Sequence, residues 1–451
     1  MLTMQSLCVI LLLTIEGAFM AISAELIKQV IKEQSSLTLP KNFIERSAYQ
    51  ILLKYAELSE IVVITGLRRV GKSTLLQQMR QKSEEVGYYI NFDDDRLVHF
   101  TFEDFQILYE VFIELYGVKN TFYFDEIQNI PEWERFVRRL HDQGKKVYVT
   151  GSNATLFSQE LGTRLTGRYV QLEMYPYSFS EVLHSQLPAV ELKDTLTTEE
   201  RGLVAGVFRE YCLLGGIPPY VHSETLEVLQ WLYESVLYRD IIVRYKLTND
   251  RPIKELVYYF ASNVGKEFSY NALAKFIGIG SATTVADYCH YLSMSYLCYT
   301  VPRFSHSLAK QQQYNKKCYF VDHAMARVLG FRSTDDNGRL LENLVYIELR
   351  RRGGEIYFHK EQQECDFLVR INGHISAAMQ VCWEMHSLET REREILGLRE
   401  AMIAYRLNTG MILTNSQEET LEIELNGKTG VISVLPVWKW ASTITSSLST
   451  N

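Results

Sequence analysis

The hydrophobic positions change period along the chain, and the changes mark out its elements. Just after Met20, "AELIKQVIKEQ" places apolar residues three and four apart, which predicts an amphipathic helix. "IVVI" (Ile61–Ile64) is a short, continuous, β-branched run, which predicts a strand buried on both faces, as in a parallel sheet. "STLLQQMRQKSEE" returns to helical spacing soon after it. "TFYFDEIQNI" and "KKVYVTGSNATLF" each open as a strand, and "INFDDDRL" is another that ends in acids, Asp93 to Asp95, read as a solvated strand end. Strands alternating with helices predict an α/β fold, a parallel sheet flanked by helices. From about Glu181 the pattern turns helical, with a break at Gly215–Pro219.

The turn between "IVVI" and the following helix carries chemistry. "TGLRRVGKST" meets the spacing G-x-x-x-x-G-K-[ST] through Gly66, Gly71, Lys72 and Ser73. A strand, a glycine-bounded turn and a helix aim backbone N–H groups at phosphate oxygens. The expected phosphate cradle is Gly66, Leu67, Arg68, Arg69, Val70, Gly71, Lys72, Ser73 and Thr74. Lys72 would face the β- and γ-phosphates, and the Ser73 hydroxyl would ligate Mg²⁺. Such a P-loop NTPase needs a second, acidic strand. "TFYFDE" supplies Asp125 for the metal and Glu126 to orient or deprotonate water, at the strand end where open α/β sheets bind ligands. Asn153, beside Ser152, stands where a side chain could sense the γ-phosphate, or equally cap a helix. Arg164 and Arg168 follow; one of them is a candidate arginine finger, in cis or from a neighbouring subunit, with a plain surface role as the alternative.

Together these segments resemble a family of prokaryotic AAA-type ATPases. "GLRRVGKST", "DEIQ", "TGSN", "TGR" and the Pro-aromatic-Ser-Phe motif in "YPYSFSEVL" occur here in that family's order. The resemblance implies ATP binding and hydrolysis, with Mg²⁺, and a C-terminal domain of unknown function related to the PD-(D/E)xK nuclease fold. It carries Asp125 and Glu126 to metal and water, Asn153 to the sensor position and Arg168 to the finger.

Beyond the ATPase, "LQWLYESVLYRDIIVRY" belongs to a helical lid or linker. Asp240 and Arg244, four apart on it, predict a helix-surface ion pair. "SYNALAKFIGI" and "SATTVADYCHYL" have the spacing of a helix-turn-helix within a winged-helix-like domain. The second helix has Asp287 and no Lys or Arg, which favours packing over DNA contact. In the nuclease-like stretch a helix bears Glu342, a hairpin strand Asp366, and the next strand Gln380 where a second acid is expected. Cys382 occupies the place of the expected Lys. Too little charge then converges to hold Mg²⁺ and activate water, so the stretch reads as a nuclease relic, with Lys360 as the candidate replacement cation. Arg350–Arg352 reads as a solvated helix end, with a phosphate-binding patch as the alternative.

At 451 residues the chain suggests about two to four domains. The expected division is 1–43 (N-terminal segment and helix), 44–180 (ATPase), 181–250 (lid), 251–305 (winged-helix-like) and 306–451 (nuclease-like). A net charge of −7 argues against a constitutively basic nucleic-acid binder. The 7 cysteines are scattered without a CxxC pair, which suits a reducing compartment. "LCVILLLTI" looks like a signal core, but no Lys or Arg precedes it and Glu16 interrupts the run, so the reading is cytoplasmic, without a membrane, and with the natural start near Met20. Two functions remain open: an ATP-hydrolysing switch acting on a protein or nucleic-acid partner, and an ATP-regulated nuclease acting on DNA or RNA. A non-hydrolysing ATP-bound scaffold is a weaker third.

Overall fold

The computed structural model describes residues 22–36, 39, 43–152, 165–190, 196–331 and 336–442. Its first half is built on five strands: β1 (Ile61–Gly66), β2 (Tyr88–Asn91), β3 (Thr121–Asp125), β4 (Lys146–Gly151) and β5 (Tyr169–Met174). They pair in the order β2-β3-β4-β1-β5, every pair parallel. The two faces explain the continuous apolar runs. One is covered by helices α1 (Ala24–Ser35), α4 (Phe105–Tyr116) and α5 (Trp133–Asp142), whose side chains form one core cluster with alternate strand residues. The opposite face meets α2 (Ala48–Ala56) and α3 (Lys72–Lys82), in a core that runs on into the rest of the chain. The parallel sheet flanked by helices fits a P-loop NTPase, as expected.

The middle of the chain is helical: α6 (Phe179–Gln186), α7 (Thr198–Leu214), α8 (Pro218–Ser223) and α9 (Leu226–Ser235), the last running into a π-helical stretch, Val236–Ile242. Then come α10 (Arg251–Ser262), α11 (Tyr270–Phe276) and α12 (Ala282–Met294), strand β6 (Cys298–Pro302), α13 (Leu308–Gln313) and strand β7 (Lys316–Phe320). β6 and β7 pair antiparallel, so the expected border at 305/306 falls between two paired strands.

After α14 (His323–Leu329) and α15 (Asn337–Arg352) a second sheet forms from β8 (Glu355–Lys360), β9 (Glu364–Ile371), β10 (His374–Val381), β11 (Thr409–Thr414), β12 (Glu419–Leu425) and β13 (Lys428–Pro436). Its order is β12-β13-β11-β10-β9-β8, with mixed pairing; α16 (Leu388–Tyr405) crosses from β10 to its parallel neighbour β11, and α17 (Val437–Ser442) follows β13.

Arg350–Arg352 do not form a solvated helix end. Arg350 donates to both Glu173 oxygens on β5 at 3.1 Å, Arg351 to Pro176 O at 2.8 Å, and Arg352 to Trp440 O at 2.7 Å. Three consecutive cations at the end of α15 thus bind the helix to β5, to the turn after it and to α17. Within the first half of the helix, Asn343 is fully buried, accepts from Phe320 N (2.7 Å) and donates to Phe320 O (2.9 Å) on β7. Asn343→Ala should strand both backbone groups and lower stability by about 2–5 kcal/mol, read from chemical denaturation of the full chain.

Candidate nucleotide-binding site

The loop after β1 is held in a shape few residues permit. Gly66 has φ 137° and Gly71 φ 101°, and a Cβ on Gly66 would collide with the carbonyl of Met174 on β5. Arg69 also sits in the left-handed region, at φ 59°. Lys72 opens α3 and is only 3% exposed. Its ammonium donates to Gly66 O and Leu67 O at 3.1 Å each and stands 3.7 Å from Glu126 Oε1. Lys72 therefore bends back over the loop, in the hollow where phosphate would lie.

Asp125 ends β3 with no exposure. It accepts from Ser73 Oγ at 3.1 Å, from Tyr89 OH at 3.2 Å, and from Thr150 Oγ1. Burial lifts its pKa to about 6 and the neighbouring Glu126 adds to the rise, while Thr150, Ser73 and Lys72 oppose it. Glu126 behaves differently. Burial works against its charge, but Lys72, Gln128 and Arg68 outweigh it and hold its pKa below the usual range. The two acids so divide into a hydroxyl-bonded carboxyl beside Ser73 and an ionised carboxylate beside Lys72. That donor set, a hydroxyl and a carboxylate converging next to an ammonium, fits Mg²⁺ with a phosphate chain.

The wall of the site comes from residues the motif does not include. Arg46, 7% exposed, donates to Val70 O in the loop at 2.7 Å, to Tyr175 O, and to Glu181 Oε1 at 3.3 Å. Glu181 also accepts from Ser47 N and Ser47 Oγ, both at 2.8 Å, and forms a capping box with Ser178 at the start of α6. This gives "YPYSFSEVL" a physical role: its Ser and Glu brace the loop through Arg46. Phe43, Ile44, Tyr177, Pro218, Pro219 and His222 close a cavity of about 300 Å³ together with Lys72, Ser73 and Glu126. Its apolar side suits a flat base and its loop side a phosphate chain. Sequence reading missed Arg46 and this wall; "GGIPP" signalled only a break.

Three expectations need correcting or setting aside. Asp240 does not pair with Arg244. It is fully buried and receives Arg68 of the loop, Nε to Oδ2 at 2.6 Å and Nη2 to Oδ1 at 3.1 Å. Arg68 thus contributes backbone to the loop while its side chain points to the helices. Arg168 precedes β5 at the end where Ile61 lies, opposite the loop, and pairs with Asp142 at 3.3 Å. Five strand residues separate the two ends, roughly 16 Å, so Arg168 cannot reach a nucleotide of its own chain. Asn153 and Arg164 lie outside the described residues.

The second sheet has a polar cavity of about 530 Å³ holding Glu342, Asp366 and Gln380, as the sequence placed them. The cation among them was not foreseen. Lys317 of β7, 1% exposed, puts its ammonium 2.8 Å from Glu364, 2.9 Å from Asp366 and 3.2 Å from Glu342. Burial opposes its charge, and Asp366 and Glu342 outweigh that. Burial and Asp366 lift Glu342 to about 7, against the pull of Lys317. Lys360, the expected replacement, is half-exposed and pairs with Glu267 and Glu364. Gln380 donates to Glu394 at 2.6 Å and accepts from Asp366 N at 3.1 Å. Among the described residues no group of three or more His, Cys, Asp or Glu stands in a metal-holding arrangement. No helix among them is long and apolar enough to cross a membrane.

Comparison with known proteins defines the class. Residues 58–183 match the family described as an AAA domain, so the loop, Asp125 and Glu126 lie within a nucleotide-binding module of that type. Residues 206–335 match a domain of unknown function, DUF8612, which spans the middle helices, the β6–β7 hairpin and α14, and ends before the second sheet. The chain is 32% identical over 401 residues to the uncharacterized protein MJ1544 of Methanocaldococcus jannaschii, covering 85% of this chain and 89% of that one. An uncharacterized protein of Haemophilus influenzae is 31% identical over 348 residues, 73% of this chain and 84% of its own. The chain belongs to the same family as these two proteins. Among solved structures, AMPPCP-bound DnaA from Aquifex aeolicus matches with a TM-score of 0.26 and 16% identity, over 57% of this chain and 90% of that one, too slight a likeness to carry a reading.

A divalent cation needs the Asp125 carboxylate ionised. With its pKa at about 6, Mg²⁺-dependent nucleotide affinity should fall as pH drops through that value, approaching tenfold per unit below it. Titration calorimetry with Asp125→Asn should give a weak, flat profile over the same range.

Proposed function

We infer that the protein is a Mg²⁺-dependent ATPase whose nucleotide state repositions its helical lid, α7–α9, and the C-terminal half for a protein or nucleic-acid partner. The observation that carries this is the pairing of Lys72 with Glu126, next in sequence to the Ser73–Asp125 pair. A triphosphate would be held by the backbone N–H groups of the loop and by Lys72, with Mg²⁺ on Ser73 and Asp125. When bound, the cation neutralises charge on the β- and γ-oxygens. Glu126, kept ionised by Lys72 and Arg68, is positioned as base or orienter of water. Asn153 fits the sensor role by its place after β4. Arg168 fits a finger only in trans, reaching a second copy.

We read α10–α12 with the β6–β7 hairpin as winged-helix-like and used for packing. Val285, Tyr288, Cys289 and Leu292 of α12 are buried, and the helix has no Lys or Arg. The mixed sheet with α15 and α16 we read as PD-(D/E)xK-like. A second function, an ATP-regulated nuclease acting on DNA or RNA, is favoured by one observation: Lys317 supplies beside Asp366 and Glu342 the cation that Cys382 lacks. Against it stands the same ammonium, which already satisfies the carboxylates that would hold a metal.

Lys72→Ala should weaken ATP binding at least about tenfold, and Glu126→Gln should keep affinity while slowing turnover about 10²- to 10⁴-fold. Equilibrium binding and phosphate release distinguish them; equal loss of binding in both variants refutes the role given to Glu126. For the C-terminal cavity, Mg²⁺ or Mn²⁺ with single- and double-stranded DNA and RNA should give background cleavage in wild type and in Asp366→Ala. Cleavage by wild type that Asp366→Ala and Lys317→Ala both abolish would establish the nuclease instead.

A further inference from the structure

Arg68 stands inside the phosphate loop, yet its side chain grips a residue 172 positions away. The grip is bidentate, and its acceptor, Asp240, is fully buried. Asp240 lies on the π-helical stretch Val236–Ile242, which continues α9. There Val243 N donates to Tyr238 O at 3.0 Å, a five-residue step instead of the α-helical four. Such stretches are rare and frequent at functional sites. The neighbouring Arg239 meets Asp93 at 3.0 Å, but both side chains are largely exposed and the pair holds little. The buried pair is therefore the polar tie between this stretch and the loop, beside the packing of Val236, Leu237 and Ile241 in the core.

Arg68 also belongs to the loop whose Lys72 approaches Glu126. Burial opposes its charge, Asp240 restores it first, and Glu126 and Asp93 add to that, so its guanidinium lies within the field of Glu126. Glu126 in turn is 3.7 Å from the Lys72 ammonium. A guanidinium fork that fits a carboxylate fits a phosphate equally well. A triphosphate beside Lys72 brings a second, more highly charged anion into competition for Arg68. Asp240 stripped of Arg68 would be a buried, unpaired carboxylate, and its stretch would have to move or hydrate.

Resting on the nucleotide reading above, we propose that Arg68 and Asp240 form a latch that holds α9 and the π-helical stretch on the loop and releases them when a terminal phosphate draws Arg68 away. Arg68 is then the element that distinguishes triphosphate from diphosphate, and Asp240 is a positioning residue that never touches nucleotide.

The test uses the full chain with Mg²⁺ and either a non-hydrolysable ATP analogue or ADP. In wild type, the analogue should speed hydrogen exchange across residues 226–245 and ADP should not. Asp240→Asn keeps the shape and removes the charge. It should raise exchange there without nucleotide and tighten the analogue about tenfold, with ADP within about twofold. Arg68→Gln should abolish the analogue's effect on exchange and make affinity insensitive to Asp240→Asn in the double variant, a control that holds if the single Asp240 variant folds poorly. Unchanged exchange and affinity in Asp240→Asn, or a nucleotide response persisting in Arg68→Gln, overturns the latch while the nucleotide site stands. Failure of wild type to bind either nucleotide overturns both.

Discussion

The buried ion pair between Arg46 and Glu181 is the constraint on which the arrangement depends. Both side chains are nearly sealed from water, so neither can be lost without leaving a bare charge inside, a defect that typically costs about 3–5 kcal/mol. The pair is retained because each partner has further bonds to make. Arg46 fixes a loop carbonyl and the carbonyl of Tyr175, while Glu181 fixes the chain before α2 and the start of α6. The phosphate loop is therefore braced from behind by the segment that leaves β5, as well as shaped by its own glycines.

That bracing continues outward along the backbone. Tyr177 N donates to Gly216 O at 2.7 Å, and Gly216 N donates to Asp322 at 2.7 Å, while Asp322 also caps α14. The approach is so close that a Cβ on Gly216 would collide with Tyr177 O, and one on Gly215 with the Asp322 carboxylate. The paired glycines of "LLGGIPP" are required by this crossing of backbones, and the prolines after them start α8 at the wall of the nucleotide cavity. One unbroken line of bonds thus leads from the loop to the helix preceding α15.

Local chemistry was legible in the sequence, and distant pairing was not. β1, the loop, α3 and the acidic end of β3 were readable because strand, turn and helix follow one another within a few residues, and each has its own periodicity. Asp240 was assigned to Arg244 because helical spacing offers a neighbour four residues away. The real partner is on another element, and burial, invisible in a single sequence, decides between them. Arg350–Arg352 misled for the same reason: three arginines at a helix end look solvated unless Glu173 and two carbonyls are known to be waiting. Lys317 is not legible because it stands on β7, well before the helix and strands that carry Glu342, Asp366 and Gln380, and only the packing brings it among them. Gln380, Asp366 and Glu342 were placed correctly in one cavity, but their partners could not be.

The placement of Lys317 and the three arginines gives α15 a particular mechanical position. The helix has 16 residues, a rod of about 24 Å. In its first half Glu342 meets Lys317 and Asn343 holds β7; at its end Arg350 and Arg351 hold the β5 side of the parallel sheet. Glu342 and Arg350 are eight residues apart on a helix whose middle is buried throughout, so they cannot shift independently. A displacement of Glu173 or the turn at Pro176 would be felt at the Lys317 carboxylates, about 12 Å along the rod. The acidic cavity of the second sheet is then set by two elements, the hairpin that brings its cation and the helix that brings Glu342. The helix is anchored directly on the nucleotide-binding sheet. Whatever chemistry or contact that cavity supports, its charge balance is tied to the geometry of β5, and through the segment following β5 to the phosphate loop.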